Sequence, residues 1–449
     1  MSDPHDYGHL VGRKPTFHRE ETSRGSYRIL LWVALLLAVV WILLQQQRGA
    51  VQPMFLPTYT PTRNANSYLV QARTYLDAGL IFATDPQQPD ALKAYKLALE
   101  ADPGNAQVWA EYARVLAYAS SLLSTVENRR SRLEEARQAA EKAVELAPDD
   151  STAHAIHAFI LDWYANPSIA DENAQAVLGD AEQAAVRALQ LDPENALALA
   201  FYAEILVDQQ KWTQAEVYAK QAAAIEPNSM DVHRVYGYVL ESLGYYNAAI
   251  QEYLAAAQIA PNMTFLYISI GQNYRTLRVY NRALEYFDKA AKINEGLNVK
   301  DPLPFIAIAK TYSQLGEFFI AAHNAEKALS FDPTDANTYG QLGMIYVKSR
   351  NYEGALPVLK CVVNGCTAEE NEVGAEIVQS LPLSSLTVAY YYLQYASVLA
   401  ALNMCEQAIP VLDQVNQIYP SDPIIRGIID ENRTICQGFN LIPTPAGNP

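Results

Sequence analysis

The sequence predicts an all-α protein: a solenoid of about nine helical hairpins, preceded by one N-terminal transmembrane helix. Three observations lead there. One phrase recurs at near-fixed spacing; half of the 449 residues are hydrophobic and only 20 are glycine; and no charge occurs between Ile29 and Gln47. Alanine-rich, glycine-poor chains suit closely packed helices. A repeat at a fixed period overrides the domain count that length alone suggests.

The elements follow in chain order. Residues 1–28 form a polar tail with Arg13, Lys14, Arg19, Arg24 and Arg28. Residues 29–47 contain the unbroken apolar run "ILLWVALLLAVVWILL", which at about 1.5 Å per residue nearly crosses a bilayer core. Beyond it only Arg48 and Arg63 follow closely, so the charge bias places the N-terminus in the cytoplasm and the rest outside. A cleaved signal peptide is the competing reading, but Arg48 spoils the small-x-small site that Ala50 would need. Residues 48–66 carry Pro53, Pro57 and Pro61 and read as an extended stalk.

Residues 67–422 hold the repeat. "KLALEADPGNAQVWAEYARVL" at Lys96–Leu116 returns as "RALQLDPENALALAFYAEIL" at Arg187–Leu206. Pro103, Pro148, Pro193, Pro227 and Pro261 are separated by 45, 45, 34 and 34 residues, and Pro333 and Pro420 follow after 72 and 87. Small residues keep step: Ala203 and Ala215 precede Pro227 as Gly237 and Ala249 precede Pro261, each 12 apart, and Gly79, Ala91 and Pro103 repeat the spacing. Two short helices crossing closely need small side chains at the contact, and proline stops the second. The units are 72–105, 106–150, 151–195, 196–229, 230–263, 264–297, 302–335, 336–369 and 389–422. The 11 extra residues in the second and third are expected to lengthen both helices. An acidic, then apolar insertion at 368–386 is expected to hold a short helix broken by Pro382. Residues 423–436 read as a capping helix and 437–449 as a flexible tail.

In "YISIGQNYRTLRVYNRALEYFDKA", Tyr267, Ile270, Gly271, Tyr274, Ala283, Phe287 and Ala290 fall in order on the pattern W-x2-L-G-x2-Y, A-x3-F. The chain thus resembles the tetratricopeptide repeat family over most of residues 72–422. The resemblance implies a right-handed superhelix whose concave groove, lined by first helices, takes a protein or peptide ligand. On that groove it implies Arg234, Tyr238, Glu241, Gln272, Arg275 and Lys310, a mixed set suited to an extended acidic or mixed peptide. The repeated Lys and Asn arrangement with which related adaptors clamp a C-terminal carboxylate is missing.

A net charge of −16 repels phosphate backbones, so nucleic acid is not an expected partner. No P-loop, dinucleotide fingerprint, HExxH or GxSxG motif is present, and no enzyme activity, cofactor, metal or small-molecule substrate is expected. His154 and His157, a turn apart, occupy the places of Trp109 and Tyr112 one unit earlier and read as packing residues. Glu369, Glu370 and Glu372 lack ordered cation-loop spacing. The doublet Tyr245–Tyr246 and the run Tyr390–Tyr392 are expected to expose some rings. Cys361, Cys366, Cys405 and Cys436 are even in number and, if outside, meet an oxidising space. The expected pairs are 361–366 and 405–436, with a four-thiolate zinc site as the alternative. The expected role is a membrane-anchored scaffold for protein partners on the extracytoplasmic side. The alternatives are a secretion factor holding emerging chains or the regulatory subunit of an envelope enzyme such as a glycosyltransferase.

Overall fold

The computed structural model describes residues 25–47, 64–83, 85–123, 126–371 and 373–441. The chain divides into two compact units, Met1–Thr62 and Arg63–Pro449. Within the first, helix α1 covers Gly25–Gln47. Trp32, Leu36, Val39 and Trp41 are exposed, as are the apolar side chains between them. Among the residues whose side chains are described, no helix is long and apolar enough to cross a membrane. The structure thus does not support the transmembrane helix expected at residues 29–47. The stalk residues 48–63 and the tail residues 1–24 lie outside the described residues.

The second unit is a stack of hairpins. The described residues show α2 (Ala65–Asp77) with α3 (Ala91–Ala101) and α4 (Ala106–Ser120) with α5 (Val126–Leu146). Next, α6 (Ser151–Tyr164) leads through the one-turn α7 (Pro167–Ala170) and a tight turn into α8 (Ala174–Leu191). The regular pairs are α9 (Ala196–Asp208) with α10 (Trp212–Ile225), α11 (Met230–Ser242) with α12 (Tyr246–Ile259), and α13 (Thr264–Thr276) with α14 (Tyr280–Gly296). After them come α15 (Leu303–Leu315) with α16 (Phe318–Leu329), α17 (Ala336–Lys348) with α18 (Tyr352–Asn364), and α19 (Leu386–Ala401) with α20 (Cys405–Ile418). The last helix, α21, is Pro423–Leu441.

The recurring phrase is a stop signal joined to a start signal. Proline ends one hairpin, and two residues later Asn105, Asp150, Asn195 or Asp335 caps the next helix by accepting an amide of its first turn. Six residues after the proline a polar ring returns to the proline carbonyl: Trp109 to Pro103 at 2.9 Å, Tyr267 to Pro261 at 2.8 Å and Tyr339 to Pro333 at 3.1 Å. His154 Nε2 meets the Pro148 carbonyl at 2.9 Å in the same way, which gives this histidine its structural role.

The crossings are as tight as the small residues imply. A methyl group on Gly237 would lie 2.9 Å from the Tyr253 ring, one on Gly343 2.5 Å from Leu359, and one on Gly271 inside the Phe287 ring. Gly79 has a different task from the one its spacing suggests. It sits beyond α2 with φ of 79°, where an added Cβ would strike Asn262 at 2.7 Å.

That contact belongs to a seam that closes the superhelix on itself. Asn262 Nδ2 donates to the Asp77 carbonyl at 3.1 Å, and Gln88 Nε2 donates to the Leu297 carbonyl at 3.1 Å. The first hairpin thereby touches the fifth and sixth. One core cluster runs from Leu69 to Ile308, and separate clusters continue from Ala309 and Ala355 onward.

Three expectations need correction. The extra residues go mainly to second helices, α5 and α8, with 21 and 18 residues, whereas α4 and α6 have 15 and 14. Part of the third unit's extra length is α7. The described residues of the insertion form no helix: Cys366 and Val378 exchange two backbone bonds at 3.0 Å, and buried Asn371 ties to Tyr339. Polar bonds and the Cys361–Cys366 cross-link hold it instead of an apolar helical face. Finally, α21 extends five residues beyond 436, so residues 437–441 are helical rather than loose. Of the tyrosine runs, Tyr391 and Tyr392 are buried and Tyr245 is exposed.

Candidate functional site on the closed inner face

First helices line the inside of the superhelix, and the seam brings early and late ones face to face. Arg114 and Tyr118 on α4 both bond to the Asp231 carboxylate on α11. The Tyr118 ring stacks on Phe265 of α13 at 5.3 Å between centroids.

Arg234 is consequently not free. It is 6% exposed and donates from both terminal nitrogens to Glu204, at 2.8 and 2.7 Å. Tyr118, Phe159 and Trp163 surround its guanidinium, with centroids 5.4 to 5.9 Å away. Burial opposes its charge, but Glu204 more than offsets this and its pKa lies above the usual arginine value. Tyr238 donates to Asp208 at 2.7 Å. Glu241 accepts from Tyr253 at 3.0 Å and from Asn273 at 2.9 Å. Arg275 donates to the Ala307 carbonyl at 3.3 Å, and burial lowers its pKa. Gln272 and Lys310 remain exposed. Protein crowds the Lys310 ammonium all the same: burial, then Arg275, lowers its pKa.

Between these helices lies a cavity of about 640 Å³ lined by Asp162, Trp163, Glu204, Asp208, Arg234, Tyr238 and Phe265, among others. Trp163 Nε1 donates to Glu204 at 3.1 Å. Asp162 is 4% exposed, and its Oδ1 has no hydrogen-bond partner. Burial first, then Asp208 and Glu204, push its carboxyl well above the ordinary range, while Arg234 pulls the other way. Asp208 is open at the rim but crowded on its inner side. Burial raises its pKa too, the Tyr238 hydroxyl lowers it and Glu204 raises it. The result is three carboxylates near Arg234, which one of them already holds, in a cavity that Arg129 also lines.

Other candidate residues lie elsewhere. Burial, then His154 and Arg137, lowers the His157 pKa to about 4. Among the described residues no group of three His, Cys, Asp or Glu side chains is placed to hold a metal ion. Cys361 is joined to Cys366 and Cys405 to Cys436. Glu370 pairs with Lys360 at 2.8 Å, and Glu372 lies outside the described residues.

Comparison with known proteins agrees with this architecture. Residues 203–264 and 266–296 each match a tetratricopeptide repeat model. The chain carries tetratricopeptide repeats arranged as an all-helical solenoid. Its fold is similar to that of a chain in the crystal structure of the APC/C hetero-tetramer Cut9-Hcn1, with 15% identity and a TM-score of 0.54, covering 86% of this chain and 66% of that one. It is also similar to yeast Tom70, with 15% identity, a TM-score of 0.44 and coverage of 92% and 79%. A tetratricopeptide repeat protein from Parabacteroides merdae matches at 17% identity and a TM-score of 0.43, covering 62% of this chain and 99% of that one. These likenesses concern the fold alone. No curated protein sequence matches the chain.

Proposed function

We propose that this protein is a non-catalytic, membrane-anchored scaffold that holds a polypeptide partner on the extracytoplasmic side. The inner-face cavity carries this reading: at about 640 Å³ it has room for several side chains of an extended chain, in a class of solenoid that binds partners on its curved inner surface. Gln272 and Lys310 continue the same face beyond it. Holding emerging chains for secretion, or regulating an envelope enzyme, would be narrower uses of the same surface.

Three observations support the anchor and its orientation. A helix that exposes Leu, Val and Trp on all sides, as α1 does, suits lipid and not water. Five cationic residues precede the apolar run and two follow it closely. Two cystine pairs suit an oxidising compartment. Photo-crosslinkers at Gln272, Lys310 and, separately, Val373 in native membranes test the partner site. Capture of one polypeptide from the first two is expected; capture from Val373 alone refutes the groove. Protease added outside should digest the solenoid and spare the first 28 residues, and the reverse pattern refutes the orientation.

A further inference from the structure

We infer that the inner cavity takes the side chain of an arginine or lysine from the partner polypeptide, seated between Asp162 and Asp208 beside the Trp163 ring. The inference rests on the groove reading above and gives it a chemistry. It also reverses the expectation of an acidic ligand, because the carboxylates Asp162, Glu204 and Asp208 outnumber the guanidinium groups of Arg129 and Arg234 in the lining.

Asp162 is the pointed observation. A carboxylate that is 4% exposed, with one oxygen unpartnered, is costly to keep. Packing does not require it. One 45-residue step earlier the equivalent position is Ala117, and one step later it is Val207, both buried and apolar. The next step holds Glu241, a carboxylate that accepts from Tyr253 and Asn273, so Asp162 differs from all three in being buried and polar with a free oxygen. Arg234 does not reach the free Asp162 oxygen: its terminal nitrogens point to Glu204, and its own Nε also has no partner. A guest cation would supply the missing donor, and Trp163 offers an aromatic wall of the kind already gathered around Arg234. Asp208, Asn166, Ser168 and Gln175 are exposed where the cavity opens, so a side chain can enter from outside. Burial first, and then neighbouring carboxylates, raise the Asp162 and Asp208 pKa values, and a guest cation would offset the second of these.

The test uses the full chain in detergent micelles and three labelled serine-alanine dodecapeptides carrying one central arginine, citrulline or glutamate. The arginine peptide should bind at least about tenfold more tightly than the citrulline peptide, as expected for charge-assisted hydrogen bonds, and the glutamate peptide most weakly. Asp162→Asn and Asp208→Asn should each shrink that preference, and the double variant should abolish it. Asp162→Asn should melt no lower than the parent, which separates lost recognition from lost folding. Equal binding of arginine and citrulline peptides overturns the inference, as does a preference that survives in the double variant. Free agmatine binding as tightly as the arginine peptide overturns the polypeptide occupant. If no peptide binds while the crosslinkers at Gln272 and Lys310 still capture a protein, the cation inference alone falls. If those crosslinkers also capture nothing, the groove reading falls with it.

Discussion

Hairpins one to six and hairpins seven to nine are built from the same repeat and are held in different ways. The first six close through the seam, face each other across buried ion pairs and share one large core that also reaches Ala307 and Ile308 at the start of the seventh. In the last three the described residues show two cystines and the bonded insertion in place of a pair like Arg114–Asp231. Similar helices can thus be secured by polar contacts far apart in sequence or by covalent links close in sequence. Only the first arrangement places charge in the interior.

The sharpest way to break this contrast is Glu204→Ala. It strands the buried Arg234, and leaving one partner of a buried pair alone costs about 3–5 kcal/mol. Hydrogen exchange should rise across α6, α9 and α11 and stay unchanged in α19–α21. Uniform loosening of both regions would show that they are not separately held. The covalent counterpart is Cys405→Ser with Cys436→Ser. That link closes 31 residues, for which chain entropy gives about 3–4 kcal/mol. Exchange should rise in α20 and α21 and leave the first six hairpins protected.

Asp301 titrates where the two regions meet. Burial raises its pKa to about 6, against the opposing Leu303 amide and Asn294. An unfolded chain releases this proton near pH 3.8, so between roughly pH 4 and 6 the folded state holds a proton that the unfolded state has lost. Stability from this group therefore falls as pH rises through that window, by on the order of 2–3 kcal/mol. In melts across that range Asp301→Asn should flatten the fall, and an unchanged slope would remove Asp301 as its source. The smallest expected effect is Gly271→Leu, which presses on Phe287 and should cost about 1–3 kcal/mol in a urea melt. An unchanged midpoint would contradict the helix register.

Much of this was legible because the repeat is local. Proline spacing and small residues placed the hairpins, and the four cysteines pair as their positions near a helix end and a cap implied. The seam was not legible. Whether Gly79 meets Asn262 depends on the rotation accumulated over five hairpins, and no local pattern reports that sum. The inner cavity lay within reach. One 34-residue step back from Tyr238 is Glu204, and steps of 34 and then 45 back from Glu241 reach Asp162. A carboxylate inside the apolar run "AFILDWY" or "FYAEIL" is a signal in itself. The expected groove residues begin only at Arg234 in the fifth hairpin, downstream of both.

An open stack of repeats can fray from either end, because each terminal hairpin has one neighbour. The bonds from Asn262 to Asp77 and from Gln88 to Leu297 give the first hairpin a second set of neighbours, 185 and 209 residues away. For the first six hairpins the array is then cyclic and not linear. Peeling the first hairpin away must therefore break these bonds as well as its packing on the second. Contacts so distant in sequence form late in folding. Hairpins one to six therefore gain this resistance to peeling only after the sixth has been made.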